Sequence, residues 1–187
     1  MLNKSYLRRK YFKIRQKKYF EIEKDFFKPI FSLIKKKYKN KKIYISAYYP
    51  SNYELNTIPL FKVMNNKGIT ILLPSITGKN MRFYKWSYLK TLVINIFGML
   101  EPLAEKKDFV PDIMLVPLLA FDKRKYRLGY GKGYYDKYLS KYLKRNKNIL
   151  KIGVAFSFQK YNKLPVSNLD VKLDYILTDE GLKKWKY

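Results

Sequence analysis

The sequence predicts an α/β fold, one sheet covered by helices in a single domain spanning 1–187. Three observations carry this. Apolar stretches of strand character at 42–49, 69–73, 113–121 and 151–156 alternate with stretches of helical periodicity. One junction, 116–139 (VPLLAFDKRKYRLGYGKGYYDKYL), runs from a strand through a basic glycine loop into a helix start. A length of 187 residues with 47% hydrophobic content suffices for one core, despite a formal net charge of +27.

Residues 1–20 carry only Lys and Arg as charged residues. Such a segment reads either as a transit peptide or as a functional basic helix; it has one Ser and no small-residue cleavage site, which favours the helix. Over 22–38, Ile22, Phe26, Phe27, Ile30, Phe31, Ile34 and Tyr38 share one helical face, and Pro29 marks a kink or the true start. Residues 1–40 are thus expected to be helices packed on the sheet domain. The KIYISAYY stretch, 42–49, is a buried strand. Thr57 is a plausible N-cap for a helix over 58–65, and Glu54 lies at a strand's C-terminal end, where open α/β sheets put their ligands. The strand 69–73 is expected to stop at Pro74. Residues 81–86 alternate like a strand exposed on one face. Met81, Phe83 and Trp86 are candidate walls for a flat ligand and equally candidates for core packing. Residues 87–100 have no clear pattern. A helix follows the glycine loop to about 145, with Tyr135, Tyr138, Leu139 and Tyr142 at spacings of three and four; a strand covers 151–156.

The junction is suited to a polyphosphate. Gly129, Gly131 and Gly133 allow backbone N–H groups to approach an anion and to take positive φ. The first turn of the following helix adds unpaired N–H donors. Lys132 and Arg127 supply full charge, and Asp136, in that first turn, is able to hold Mg²⁺ beside phosphates. A glycine hairpin capped by an Asp, with solvated lysines, is the alternative. The loop is neither a Walker A sequence nor the dinucleotide fingerprint.

Composition excludes several chemistries. With no cysteine there is no disulfide or thiolate; with no histidine there is no His metal site, triad or His acid–base step. No apolar run reaches the ~20 residues that cross a bilayer, so a soluble, cytoplasmic chain with no membrane partner is expected. The charge and 19 tyrosines also fit a basic α/β nucleic-acid-binding protein, stacking bases on aromatics. The even spread of lysines points instead to coding bias, so no specific nucleic acid is expected.

The string Asp122, Arg127-Leu128-Gly129-Tyr130-Gly131-Lys132-Gly133-Tyr134-Tyr135-Asp136 closely resembles the signature of the 5-formyltetrahydrofolate cyclo-ligase (methenyltetrahydrofolate synthetase) family. Weaker matches fall in the same order along the chain: Lys4-x-x-Leu7-Arg8, Glu54 with Thr57, Met81-x-Phe83-x-x-Trp86, Glu101-Pro102, Asp112 to Pro117, and Asp170 with Asp174. The resemblance implies a three-layer α/β/α fold with a mixed, mainly parallel sheet. It implies ATP- and Mg²⁺-dependent cyclisation of 5-formyltetrahydrofolate, with or without a polyglutamate tail, by a monomer. It assigns Lys4, Ser5, Tyr6, Leu7, Arg8, Arg127 and the loop Leu128, Gly129, Tyr130, Gly131, Lys132, Gly133, Tyr134 and Tyr135 to ATP. It assigns Arg8, Tyr49, Glu54 and Tyr130 to Tyr134 to the folate, and Asp136 and Asp170 to Mg²⁺. Lys132 and Arg127 are the expected catalytic cations. The chain departs from the family at Asn56 and Asn168, where acids are usual, and at Lys125, where a turn glycine is usual. A folate-binding module that has lost activity is a further reading; the retained Asp136 and Asp170 speak against it.

Overall fold

The computed structural model describes residues 3–184 apart from 24, 40, 89, 146 and 147. The chain opens with helices α1 (Lys4–Lys18) and α2 (Lys28–Tyr38), then strand β1 (Tyr44–Ser46) and helix α3 (Ile58–Asn66). Strands β2 (Thr70–Thr77) and β3 (Asn80–Trp86) form a hairpin, followed by a smaller one from β4 (Leu92–Ile94) and β5 (Leu100–Pro102). Next come β6 (Ile113–Pro117), a short ribbon of β7 (Ala120–Phe121) and β8 (Arg127–Leu128), and helix α4 (Tyr134–Leu143). The chain ends with β9 (Leu150–Val154), β10 (Tyr175–Thr178) and β11 (Gly181–Lys183).

Seven strands make the main sheet in the order β11-β10-β9-β6-β1-β2-β3. The five inner strands are mutually parallel, and β3 and β11 are antiparallel edges. The alternation of side chains along each strand builds a core on each face. On β6, Ile113 and Leu115 join Ile30 of α2 and Leu60, Phe61 and Met64 of α3; Met114 and Val116 join Tyr138 and Leu139 of α4. Helices thus cover both faces in three layers. Helix α1 buries Leu7 and Tyr11 against Leu119, Ala120, Leu128 and Leu164, beside the β7–β8 ribbon.

The structure revises several expected boundaries. Helix α2 begins at Lys28 with Pro29 in its first turn, where a missing N–H costs nothing, so Pro29 is the start and not a kink. Strand β2 does not stop at Pro74 but runs on to Thr77. Pro74 faces Phe83, whose carbonyl points away from β2 and accepts the Phe109 N–H at 2.8 Å. The pair is therefore a non-hydrogen-bonded one, and the proline nitrogen lies on the side that β1 has already left. The apolar run 113–121 is two strands, because after Pro117 the carbonyls of Leu118 and Leu119 turn to the Gln159 side chain, at 2.8 and 3.0 Å. Thr57 holds the N-cap position of α3, yet its hydroxyl donates to the Tyr48 carbonyl at 2.6 Å. The Asn56 carboxamide oxygen accepts the Ile58 N–H instead. Strand β11 and the β4–β5 hairpin had no sequence counterpart. No helix among the described residues is long and apolar enough to cross a membrane.

Candidate active site

A cavity of about 1130 Å³ opens at the carboxyl ends of β1, β2 and β6. That is where parallel α/β sheets leave room between diverging connections. Its walls come from α1, the segment after β1, the β4–β5 hairpin, the glycine loop with the start of α4, and the segment at 167–170.

The glycine loop joins β8 to α4. Gly131 has φ +104°, and a Cβ there would lie 3.0 Å from the Arg8 guanidinium carbon; the missing side chain is what admits Arg8. Arg8 also donates through Nε to the Gly129 carbonyl at 3.0 Å. Gly133, at φ +69°, precedes α4 and offers no side-chain cap, so the first N–H groups of the helix stay available to an anion. Lys132 is exposed, its ammonium 5.6 Å from the Phe97 ring centre on the facing hairpin. The Tyr134 ring meets Phe97 edge-on at 6.2 Å.

Opposite charges pair along one side of the cavity. Lys4 Nζ lies 2.6 Å from Asp170, which also accepts the Ser167 N–H at 2.6 Å. Partial burial pushes the Asp170 carboxyl up, but the Lys4 ammonium and Ser167 N–H outweigh it and hold the carboxyl below its ordinary range. Arg127 pairs with Asp136 at 2.8 Å and donates to the Val171 carbonyl at 3.0 Å. Asp136 in turn accepts the Val171 N–H at 3.0 Å. The residue after Asp170 thus ties the two acids to one side of the site. Each carboxylate keeps one oxygen with no hydrogen-bond partner among the described residues, a donor type that fits Mg²⁺. No group of three or more His, Cys, Asp or Glu converges among those residues. Two acids suffice for Mg²⁺ when substrate phosphates and water complete its shell.

Glu54 forms the floor. It is 6% exposed and accepts the Ser51 N–H at 3.1 Å. Burial raises its carboxyl to about 7, opposed by the Arg15 guanidinium, the Ser51 N–H and the Tyr130 hydroxyl. Desolvation also raises the hydroxyls of Tyr48, Tyr130 and Tyr135, with the Glu54 charge adding to each. All three are neutral donors at physiological pH. Tyr49, half-buried, lies beside this floor.

Of the residues singled out from sequence, Lys4, Arg8, Tyr49, Glu54, Arg127, the whole run Leu128 to Asp136, and Asp170 line one cavity. Ser5, Tyr6 and Leu7 do not. At about 100° per residue, Ser5 and Tyr6 turn away from Lys4 towards solvent and are exposed, while Leu7, on the flank of the Lys4–Arg8 stripe and about 100° from Arg8, turns into the core. Of the proposed apolar walls, Met81 lines the cavity, whereas Phe83 and Trp86 belong to the two cores. Sequence reasoning missed the hairpin residues Phe97, Met99 and Leu100, which supply much of the apolar wall. Glu101 fastens that hairpin to β2 by accepting from the Ser75 hydroxyl and the Ile76 N–H at 2.9 and 3.0 Å. The hairpin's turn signal was present in Asn95 and Gly98, the latter at φ +73°. Arg15 was missed too. It continues the buried stripe of Leu7 and Tyr11 on α1, a position where a charge demands a partner.

The fold and cavity define an α/β enzyme class in which a basic glycine loop and a helix start face an acid-floored pocket. The model of the 5-formyltetrahydrofolate cyclo-ligase family matches residues 3–179, and the chain belongs to that family. The probable 5-formyltetrahydrofolate cyclo-ligase of Schizosaccharomyces pombe is 32% identical over 142 residues, 68% of this chain and 70% of that one. The Escherichia coli 5-formyltetrahydrofolate cyclo-ligase is 28% identical over 148 residues, 75% and 80% of the two chains. The solved Aquifex aeolicus 5,10-methenyltetrahydrofolate synthetase superposes with a TM-score of 0.73 at 30% identity, covering 98% of this chain and 93% of that one.

Proposed function

We propose that this protein closes the ring of 5-formyltetrahydrofolate to 5,10-methenyltetrahydrofolate, consuming ATP and releasing ADP and phosphate. A formamide oxygen is a poor leaving group. In this reading the formyl oxygen attacks the γ-phosphorus and ADP departs; N10 then attacks the formyl carbon and the oxygen leaves as phosphate. The chemistry asks for positioning and charge stabilisation and for no protein nucleophile, in keeping with a chain that lacks Cys and His.

The observation that carries the reading is that one cavity joins two unlike surfaces. On one side are Lys4, Arg8, Arg127 and the glycine loop; on the other are Glu54, Tyr49 and the hairpin's apolar wall. The first side suits a triphosphate. The second suits a pteridine, whose flat ring needs apolar contact and whose N–H donors need a carboxylate. Lys132 neutralises charge on the phosphoryl oxygens as they move. Asp136 and Asp170 are the residues that would hold Mg²⁺, which supplies charge neutralisation to the phosphates. In the free protein Lys4 and Arg127 neutralise these two acids.

The test is an absorbance assay for the methenyl product with the purified protein and 5-formyltetrahydrofolate. Product that forms only when ATP and Mg²⁺ are both present supports the reading. Absence of product under all conditions overturns it.

A further inference from the structure

Arg15 is 1% exposed, and nothing in the proposed chemistry uses it. Its guanidinium reaches three separate pieces of chain. One Nη donates to the Asn52 carbonyl at 2.7 Å and to the Tyr130 hydroxyl; the other donates to the Leu118 carbonyl at 3.3 Å. Nε has no partner among the described residues. The Asn52 contact matters because Asn52 and Tyr53 sit at φ +50° and +61°, left-handed geometry that costs side-chain-bearing residues free energy. Glu54 follows directly. Burying a guanidinium is costly unless its hydrogen bonds are made, and Arg15 makes its bonds to two carbonyls and a hydroxyl, of which those of Asn52 and Tyr130 belong to residues lining the cavity with Glu54.

We infer that Arg15 is a positioning residue for the folate pocket: it clamps the strained Asn52–Tyr53 turn and the Tyr130 hydroxyl together, and so presents Glu54 to the substrate as a carboxylate. The inference rests on the reading of Glu54 as the folate contact. The titratable groups acting on Glu54 are Arg15 from α1, Tyr48 beyond β1, Tyr130 of the glycine loop and Tyr135 of α4, and Arg15 is the cation among them. Arg127 reaches the cluster through Tyr135. The tyrosines are neutral, so Arg15 supplies the positive charge that favours ionised Glu54. Tyr130 belongs to the glycine loop, so the clamp also ties the two halves of the cavity to each other.

The test is direct titration of 5-formyltetrahydrofolate into the full-length protein, without nucleotide, from pH 6 to 9. Wild type, Arg15→Gln, Arg15→Lys, Tyr130→Phe and Glu54→Gln are compared, with thermal melting to confirm folding. Arg15→Gln should weaken folate binding at pH 8 by about tenfold or more. It should also move the pH at which affinity rises upward by about 1–3 units, the range a neighbouring Arg commonly exerts on a carboxylate. Arg15→Lys should restore part of both effects, and the KM for ATP should change much less. A merely structural Arg15 would lower the melting temperature and leave the pH profile where it is, and that result overturns the inference. Should Arg15→Gln fail to fold, Arg15→Lys decides: an upward shift supports the clamp and an unmoved profile sinks it, with Tyr130→Phe giving the share that the Tyr130 hydroxyl exerts on Glu54 by itself. If Glu54→Gln binds folate like wild type, the folate contact itself is wrong, which is a separate failure.

Discussion

The Lys4 ammonium lies 2.6 Å from the Asp170 carboxylate, although 166 residues separate them. One was read as a nucleotide contact and the other as a metal ligand, and in the free protein each satisfies the other. The pair is partly exposed, so its own stabilisation is small, about 1 kcal/mol or less. Asp170→Asn should therefore melt within a few degrees of wild type. Its Mg²⁺ requirement, read from turnover against metal concentration at fixed ATP, should rise about tenfold. An unchanged metal dependence removes Asp170 from the metal site.

Lys132 is exposed and its ammonium touches only the Phe97 ring face among the contacts described. Its loss should leave stability nearly unchanged. Turnover is another matter, because a positioned donor at developing charge is worth roughly 10²–10³ in rate. Lys132→Ala should show a kcat lower by about that factor with an unaltered melting temperature. Equal kcat in the two proteins would rule out its catalytic role.

The sequence disclosed the glycine loop and its acid because their chemistry is local: glycines, cations and a first-turn Asp read the same in any context. It disclosed the inner strands because a parallel sheet buries both faces and leaves apolar runs. It misjudged Pro74, since whether a proline nitrogen faces a neighbouring strand depends on register. It could not resolve 87–100, where the strands are three residues each and are fixed by Glu101 bonding to β2. The significance of Arg15 was hidden for a similar reason: its partners are carbonyls and a hydroxyl from distant segments.

Glu54 gives a pH test with an unusual sign. Its carboxyl is raised to about 7 in the folded chain, whereas in the unfolded chain it ionises at the ordinary value. The folded state holds the proton longer, so this group makes stability fall as pH rises from about 4.5 to 7, and the cost is complete above that. At pH 8 the penalty is up to about 3 kcal/mol. Glu54→Gln carries no such penalty. Its melting temperature should match wild type near pH 4.5 and exceed it by roughly 5–10 °C at pH 8, while folate affinity falls. Parallel melting curves across that range contradict the burial cost.

Lys125 stands where the resemblance implies a turn glycine, and the structure shows a tight turn there: Lys125 adopts φ +68°, and its N–H donates to the Asp122 carbonyl at 2.9 Å. A left-handed residue with a side chain costs about 1 kcal/mol, offset in part by the greater unfolded freedom of glycine. Lys125→Gly should be neutral to about 1 kcal/mol more stable in urea, with unchanged kinetics. Marked destabilisation would mean that the lysine side chain, not the backbone geometry, holds the turn.

Gly131 and Gly133 separate backbone freedom from close approach. Both have positive φ, but a Cβ on Gly133 meets nothing within 4 Å, whereas one on Gly131 meets the Arg8 guanidinium at 3.0 to 3.2 Å. Alanine at either position carries a backbone cost of about 1–3 kcal/mol. At 131 it must also displace Arg8, because a guanidinium at the end of a flexible side chain yields more readily than backbone. Displacement breaks the Arg8 bond to the Gly129 carbonyl and moves a cation off the cavity wall. Gly131→Ala should therefore raise the KM for ATP about tenfold or more, beyond any change in Gly133→Ala at similar stability. Combining Gly131→Ala with Arg8→Ala should add little to Arg8→Ala alone, since neighbours that act through one contact are not additive. Full additivity in that pair would show that the glycine serves the loop's backbone and leaves Arg8 undisturbed.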